Sequence, residues 1–339
     1  MKVVPFYHKC LATTVLLLSL VWNEWLSYKI YSHTWKEHVR VRSMCSNLLI
    51  VADPQLIGYR NEPYWVGPIS RWDSDRYLSK GFSFANAHVD PDAIIFLGDL
   101  FDEGFDSEDD EFDDTLDRFK NVFQFDSQVS VFIYGDNDIG GESELINEYA
   151  RERFKNTFGS TFMETKPYSI YQAYLFESKD LQLMYSAGEK EKLKIMLTHV
   201  PYLTYYNSFI DTGQGVDLIL SGHDHFAMIY EMDRKPSGKL FSTRPNRTSP
   251  VFREVLGRSR RVVELQTPTC SYRMGVPEMG YGHVTICEDT SGNATVQFSV
   301  LWLPSRYTNL SYYVGALIIA TAIVLHGRSQ RRRRYTNCM

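Results

Sequence analysis

The sequence is poor in cysteine and carries no excess of basic charge. Only five of its 339 residues are cysteine, and Cys10 and Cys338 lie near the ends. The other three are too few and too scattered for a disulfide framework or a zinc ribbon, although they allow one bridge. Lys and Arg number 36 against 41 Asp and Glu. This balance argues against nucleic-acid binding, which needs basic stripes that neutralise phosphates.

Charge is also missing from one long segment near the C-terminus. No formally charged residue occurs between positions 307 and 327, and a helix of that length crosses a bilayer. We predict a transmembrane helix there. Five arginines follow in positions 328–334, and the positive-inside rule places such a tail in the cytosol. The middle of the chain is then lumenal or extracellular.

A second apolar segment runs from Cys10 to Tyr28, interrupted by Asn23 and Glu24. No small-residue cleavage site follows its most apolar part, so we predict an uncleaved signal anchor. The expected organisation is a cytosolic N-terminus and transmembrane signal anchor over 1–31, a lumenal domain over 32–306, the second span over 307–327 and a basic cytosolic tail over 328–339. Glycosylation triplets at Asn246 and Asn293 are consistent with a lumenal middle.

Five short apolar runs in the middle of the chain are each followed by polar residues. Such runs predict buried strands, and they cover residues 48–52, 93–97, 129–134, 193–197 and 216–220. Helical stretches are predicted over 75–86, 114–123 and 143–158. Alternating strands and helices predict an α/β fold whose polar residues gather at the carboxyl ends of the strands.

The strand ends supply three carboxylates and three imidazoles. These residues are Asp53, Asp99, Asp136, His199, His223 and His225. Taken singly, a strand-end Asp is usually a turn or helix cap, and a lone His is usually a core residue. Six such residues on successive strands instead favour a site for Mn, Fe or Zn, and two ions sharing a carboxylate form a clamp for phosphoryl transfer.

These motifs resemble, in order and spacing, those of the calcineurin-like metallophosphoesterases. The matching segments are Asp53-Pro54-Gln55, Gly98-Asp99, Gly135-Asp136-Asn137-Asp138, Thr198-His199 and Gly222-His223-Asp224-His225. Finer features, including residues 97–104 and the two flanking apolar segments, resemble the metallophosphoesterase 1 family. The resemblance implies two mixed sheets flanked by helices, between two transmembrane helices.

That family comprises lumenal phosphodiesterases that remove ethanolamine-phosphate from the mannoses of GPI glycans. The resemblance therefore implies GPI glycolipid or GPI-anchored proteins as substrate, and a role in their transport out of the ER. The implied location is a membrane of the ER, the ER-Golgi intermediate compartment or the cis-Golgi. It also implies two divalent metal ions, for which we expect Mn²⁺.

Carried over residue by residue, the family pattern places Asp53 and His225 on one ion. It places His199 and His223 on the other, with Asp99 between the two. Asp136 stands where the family usually has an Asn ligand. Gln55 stands where the wider superfamily has a ligand His, and it is expected either to bind metal or to hydrogen-bond to a ligand.

The chain departs from the family at Asn137, which takes the place of the His expected to protonate the leaving alkoxide. An amide cannot transfer that proton, and general acid catalysis typically contributes about 10² to 10⁴-fold. Either the enzyme is slow or another group, such as Asp138, supplies the proton. An alternative alignment, slipped by one residue, would make Asn137 the ligand.

Two further features of the sequence, Arg273 and the acidic segment 102–117, have candidate roles. Arg273, after the closing Gly-His-x-His motif, is either a contact to a substrate phosphate or an ordinary surface residue. The acidic segment 102–117 is expected to be a solvated face or favourable charge at a helix N-terminus.

The function expected from the whole sequence is that of a phosphodiesterase in which a hydroxide bridging two ions attacks phosphorus. The alternatives are a weakened lumenal glycan-binding protein and a phosphatase acting on other substrates.

Overall fold

The computed structural model forms two compact units, one of residues Met1–His33 with Pro304–Met339 and one of Thr34–Leu303. It describes residues 6–39, 45–125, 128–142, 144–159, 163–165, 168–172, 193–205, 216–233, 238–256, 261–288 and 294–336.

The first unit contains a pair of long apolar helices. Helix α1 (Phe6–Val21) continues through a π-helical turn (Trp22–Leu26) into α2 (Ser27–Ser32). The C-terminal helix, α8, covers Arg306–Thr336. Segments Phe6–Ser32 and Arg306–Gln330 have the length and composition of membrane spans, and only 17% and 11% of their most apolar windows are buried. A core helix would be mostly buried, whereas a signal sequence would share these properties.

Polar groups meet inside this helix pair. The Glu24 carboxylate lies 3.3 Å from an Arg306 guanidinium nitrogen and accepts a 2.7 Å hydrogen bond from the Tyr313 hydroxyl. Nearby, the Asn309 amide donates to the Ser27 hydroxyl at 3.4 Å. Both charged residues are buried, with Glu24 7% and Arg306 2% exposed. The charge of Glu24 is thus neutralised by a partner on the other helix.

The second unit is built on two mixed β-sheets. The strands are β1 (Cys45–Val51), β2 (Ala93–Leu97), β3 (Val129–Ile133), β4 (Met163–Thr165), β5 (Tyr168–Gln172), β6 (Leu193–Leu197), β7 (Leu218–Ser221), β8 (Met228–Asp233), β9 (Leu240–Thr243), β10 (Phe252–Leu256), β11 (Arg261–Gln266), β12 (Gly280–Glu288) and β13 (Ala294–Trp302). Over the described residues, one sheet has the order β10-β13-β12-β1-β2-β3 and the other β4-β5-β6-β7-β11-β8-β9. Side chains from both sheets share one apolar cluster, including Ile50, Ile95 and Leu220. The α/β architecture with two mixed sheets is therefore confirmed.

The helices of this unit flank the sheets. They are α3 (Gly67–Val89), α4 (Asp109–Phe123), α5 (Asp136–Ile139), α6 (Glu148–Phe158) and α7 (Tyr202–Tyr205). Helix α3 begins eight residues before its predicted start because Pro68 suits a first helical turn. Helix α6 begins later than predicted, where the Asn147 side chain caps its first N–H groups.

The acidic segment 102–117 contains the start of α4. Glu108 and Glu111 form a capping box there, and Asp109 and Asp110 lie in the first turn. These charges suit the positive end of the helix dipole. This is the structural role that the sequence predicted for the segment.

One disulfide joins Cys45 to Cys287. These residues are directly opposite each other in the antiparallel pairing of β1 with β12. Cys10 and Cys270 are free. A disulfide between strands is typical of proteins that mature in an oxidising compartment.

Candidate metal centre

Strands β1, β2 and β3 run parallel, as do β6, β7 and β11. Their carboxyl ends carry the six residues that the sequence singled out, and the backbone must pack tightly for these ends to meet. A Cβ on Gly98 would lie 2.7 Å from both the Gly135 nitrogen and the His199 ring, and Gly98 has φ +87°. Only glycine fits at this position, so the glycine preceding Asp99 is a requirement of close approach.

The structure brings the six residues into two neighbouring clusters. Cluster A consists of Asp53, Asp99 and His225, and cluster B consists of Asp136, His199 and His223. In each cluster the potential ligand atoms lie within 4.8 Å of one another.

Cluster B is the tighter of the two. The Asp136 Oδ1 atom is 3.1 Å from His199 Nε2 and 3.1 Å from His223 Nδ1, and these two nitrogens are 3.2 Å apart. His199 Nδ1 lies 2.7 Å from the Leu97 carbonyl. Because a carbonyl only accepts, that nitrogen carries the proton in the neutral ring. The lone pair of Nε2 then points at Asp136 and His223, in the orientation of a metal-binding histidine.

Asp99 lies between the clusters. Its Oδ1 atom is 3.4 Å from His199 Nε2 in cluster B, although its carboxylate belongs to cluster A. In cluster A, His225 Nε2 lies 4.0 Å from Asp53 Oδ1. The Asp53 carboxylate is held by the backbone N–H of His223, at 3.2 and 3.1 Å to its two oxygens. A carboxylate placed like that of Asp99 can bridge two ions.

The charged groups of the centre are carboxylates and imidazoles whose pKa values are shifted. Burial, against the attraction of His199, raises the pKa of Asp53 to about 8. Burial also raises the pKa of Asp99. Burial opposes ionisation of Asp136, but hydrogen bonds with His199 and His223 hold its pKa below the ordinary value. In the part of the chain that the structure describes, the ion pairs of these three carboxylates are with histidines.

The pKa values of His199 and His225 shift in opposite directions. Burial lowers the pKa of His199, but Asp99 and Asp136 outweigh it and raise the pKa well above 6.5. For His225, burial and the neighbouring histidines lower the pKa to about 4. A buried set of carboxylate oxygens and imidazole nitrogens, with no Lys or Arg paired to it among the described residues, fits divalent metal ions. The donor types therefore fit two ions, one at each cluster.

The backbone of the centre is held in an uncommon conformation. Seven described non-glycine residues have positive φ, and five of them belong to the centre: Asp53, Gln55, Asp99, His223 and His225. Left-handed conformations of such residues cost of order 1–3 kcal/mol each. They persist here because the surrounding hydrogen bonds and packing position the side chains.

Asp136 and Asn137 occupy different places. The Asp136 carboxylate lies in cluster B, whereas Asn137 donates its backbone N–H and its side-chain amide to the two oxygens of Asp99, each at 2.9 Å. This geometry agrees with the alignment that makes Asp136 the ligand and disfavours the slipped alternative. Asn137 instead orients the carboxylate between the clusters.

Asp138 is held by backbone hydrogen bonds between two loops. It is 3% exposed. Its carboxylate accepts hydrogen bonds from the backbone N–H groups of Leu100, Phe101 and Gly135. Because these donors take up both oxygens, Asp138 fastens the loop after β2 to the loop after β3.

The two remaining predicted residues are Gln55 and Arg273. The Gln55 amide nitrogen donates to Asp99 Oδ2 at 2.9 Å and lies 3.3 Å from His225 Nε2. This contact favours the hydrogen-bonding role over direct ligation. Arg273 pairs with Glu62, and the side chain of Arg273 is 34% exposed. Its positive charge is thus already neutralised on one side.

Sequence reasoning missed three buried polar residues behind the centre. The Thr269 hydroxyl donates to the Asp53 carbonyl at 2.7 Å. Glu264 and Gln266 contact the loops that carry the histidines. A signal existed for the last two, since they interrupt an apolar strand at alternate positions.

A model of the calcineurin-like phosphoesterase family matches residues 46–227 of this chain. The match covers more than half of the sequence and includes both clusters. The chain belongs to this family. The resemblance inferred from the motifs is thereby confirmed.

Several curated relatives are named Metallophosphoesterase 1. The Mus musculus protein is 29% identical over 138 residues, which cover 40% of this chain and 32% of that protein. The Cricetulus griseus protein is 28% identical over 157 residues, covering 44% and 39%. Cell division control protein 1 of Saccharomyces cerevisiae is 30% identical over 117 residues, covering 33% and 24%. The matched part thus spans well under half the length of these relatives.

A solved structure, that of PhoD, is similar to this chain with a TM-score of 0.43 and 8% identity. The similarity covers 73% of this chain and 65% of that one.

Proposed function

We propose that this protein is a phosphodiesterase with two Mn²⁺ ions that removes ethanolamine-phosphate from mannoses of GPI glycans. This reaction would support transport of GPI-anchored proteins out of the ER. The observation that carries the metal-dependent chemistry is the pair of clusters with Asp99 between them. The substrate assignment is supported by the family motifs and by the relatives named Metallophosphoesterase 1.

The side chains divide the work at the site. Asp53 and His225 would hold one ion, and Asp136, His199 and His223 the other, with Asp99 shared. Held there, two such ions would supply an activated water and positive charge for the oxygens of the reacting phosphate. Asn137 and Gln55 fix the Asp99 carboxylate by donating to it. Gln55 supports Mn²⁺ only if its carbonyl turns toward an ion, since an amide oxygen is a harder ligand than imidazole.

We further propose that the two apolar helices cross a membrane of the early secretory pathway, with the Thr34–Leu303 unit in the lumen. The Cys45–Cys287 disulfide and the exposed triplet at Asn246 support this placement. Asn293 itself lies outside the described residues.

We expect the substitution Asn246→Gln to remove a glycan. We also expect a tag placed after Met339 to be digested by protease that is added to intact microsomes. A protected tag would contradict the orientation.

The position of Asn137 yields the test of the activity. The leaving group of a p-nitrophenyl phosphodiester is a stabilised phenolate. The leaving group of a mannose ester is a strongly basic alkoxide, which needs a proton. The purified protein with Mn²⁺ is expected to hydrolyse the aryl diester far faster than the mannosyl ethanolamine-phosphate ester. Asn137→His should raise turnover of the mannosyl ester relative to that of the aryl ester by up to about 10² to 10⁴-fold, because only the mannosyl ester needs the proton.

The exposed residue Asn121 offers a matched control, since Asn121→His makes the same change away from the clusters. An equal gain on both substrates would show that residue 137 acts through the metal ions. No hydrolysis of either diester by the Mn²⁺-loaded wild type would contradict the proposed reaction.

Asn137 and Asp138 also motivate a second candidate, a lumenal protein that binds metal and glycan without turnover. The Asn137 amide cannot transfer a proton, and the Asp138 carboxylate accepts from backbone N–H groups. This candidate predicts binding of the mannosyl ester but no hydrolysis even of the aryl diester. A phosphatase of other substrates, the third candidate, would instead prefer p-nitrophenyl phosphate to both diesters.

A further inference from the structure

Strand β11 carries two charged or polar side chains where a buried strand would usually be apolar. Glu264 and Gln266 are both 0% exposed. They are two residues apart, so they project from the same face of the strand. Burying a carboxylate and an amide is costly unless their hydrogen bonds are made.

Glu264 holds the loop that follows His199. Its two carboxylate oxygens accept separately from the backbone N–H groups of Tyr202 and Leu203, each at 2.8 Å. These N–H groups open helix α7, three residues after His199. The carboxylate thereby fixes the chain on the C-terminal side of a cluster B ligand.

Gln266 holds the loop that carries the other two histidines. Its side-chain nitrogen donates to the Gly222 carbonyl at 3.3 Å and to Asp224 Oδ2 at 2.9 Å. These two residues flank His223, and Asp224 directly precedes His225. A backbone hydrogen bond of 2.9 Å from Gly222 to the His199 carbonyl ties the two loops together.

We propose that Glu264 and Gln266 are positioning residues that hold the histidine loops in the geometry needed to bind metal. The proposal rests on the metal centre of the proposed function. Glu264 acts on one ion, because its loop carries only His199 of cluster B. Gln266 acts on both ions, because its loop carries His223 of cluster B and His225 of cluster A.

The variants that separate these roles are Glu264→Gln and Gln266→Leu. A glutamine at position 264 keeps one acceptor but turns an NH₂ group toward the second backbone N–H. Gln266→Leu keeps the approximate volume and removes the donor to Gly222 and Asp224. Loss of residues that orient metal ligands typically weakens metal affinity about 10 to 100-fold.

The measurement is a titration of the metal-free full chain with Mn²⁺, following free Mn²⁺ by electron paramagnetic resonance. Wild type is expected to bind two ions. Glu264→Gln should weaken one of them about 10 to 100-fold, and Gln266→Leu should weaken both. Turnover of the aryl diester should fall at a fixed Mn²⁺ concentration and recover as Mn²⁺ is raised.

Gln297 provides the matched control. It is also a buried strand glutamine, 3% exposed, and its amide bonds to the backbone of Val39 in the same unit. Gln297→Leu should leave both Mn²⁺ affinities at the wild-type value. If it weakens them as much as Gln266→Leu, general destabilisation explains the effect and the proposal is wrong.

The remaining outcomes are also decisive. Wild-type affinities in both Glu264→Gln and Gln266→Leu would overturn the proposal while leaving the metal centre intact. Absence of Mn²⁺ binding by the wild type would instead contradict the proposed function. If Glu264→Gln does not fold, the result for Gln266→Leu against Gln297→Leu decides.

Discussion

The two units of this protein bury charge in opposite ways. In the helix pair, the Glu24 carboxylate lies beside the Arg306 guanidinium and accepts from the Tyr313 hydroxyl. In the Thr34–Leu303 unit, Asp53 and Asp99 are buried next to histidines. The first carboxylate has a fixed cationic partner, whereas the second group depends on protons or on ions from solution.

This difference separates a structural contact from a binding centre. A neutralised pair needs nothing further, and removing one partner leaves an uncompensated buried charge. Carboxylates without such a partner are unstable unless they are protonated or bind cations. In the metal-free protein, burial favours the neutral form of Asp53 and so raises its pKa.

The largest effect is expected at the carboxylate between the clusters. Asp99→Asn should remove most of the bound metal and all activity, because an amide neither carries the charge nor bridges two ions. Metal content by elemental analysis and turnover of an aryl diester are the measurements. Asp217→Asn is the control, since Asp217 is also buried but accepts from the Lys194 backbone N–H at the far end of β7. Wild-type metal content in Asp99→Asn would contradict a shared ligand.

A smaller effect is expected in the helix pair. Glu24→Arg should place two like charges together and weaken helix pairing by about 3–5 kcal/mol. The exchange Glu24→Arg with Arg306→Glu should restore much of this loss. Trp22 and Tyr312, whose rings lie 6.4 Å apart, can be replaced by cysteines for short-range cross-linking, which measures pairing. Equal cross-linking in the single and exchanged variants would show that the ion pair does not hold the helices.

The smallest effect is a dependence of stability on pH. In the metal-free protein the pKa of Asp53 is raised to about 8, and those of His199 and His223 are also raised. Between about pH 6.5 and 8 the folded chain therefore binds more protons than the unfolded chain, and its stability falls as pH rises. The lowered pKa of His225, about 4, acts only below this window.

Bound Mn²⁺ should reverse the trend, since its ligands must lose protons. Thermal unfolding midpoints at pH 6.5 and 8, with chelator and with Mn²⁺, give the comparison. In chelator, Asp53→Asn should show a shallower fall than wild type. A midpoint that rises with pH in chelator would contradict the assigned pKa shifts.

The residues of the centre were accessible from sequence because each follows a short apolar strand. Parallel strands bring their carboxyl ends together, so Asp53, Asp99 and His199 could be grouped before their distances were known. The pairing of Cys45 with Cys287 was not accessible, because the two are 242 residues apart and meet only through the pairing of β1 with β12.

The hydrogen-bond partners of Asp138 were not evident from local sequence. This residue lies beside Asn137 in the motif, which suggested catalysis, but its carboxylate turns to three backbone N–H groups. The direction of a side chain depends on partners from other loops, here those after β2 and β3. A sequence motif identifies the residue at each position but does not identify the hydrogen-bond partners of its side chain.

The motifs resembled those of the family, and the apolar runs indicated the alternation of strands and helices with carboxylates and imidazoles at the strand ends. These properties follow from local composition and spacing. The contacts of Asp136 with His199 and His223 became known only from the fold. The same is true of the hydrogen bond from Asn137 to Asp99, and of those that Glu264 and Gln266 make with the histidine loops. Such contacts depend on strand order and on distances across two sheets, and hydrogen bonds form only where donor and acceptor meet in space.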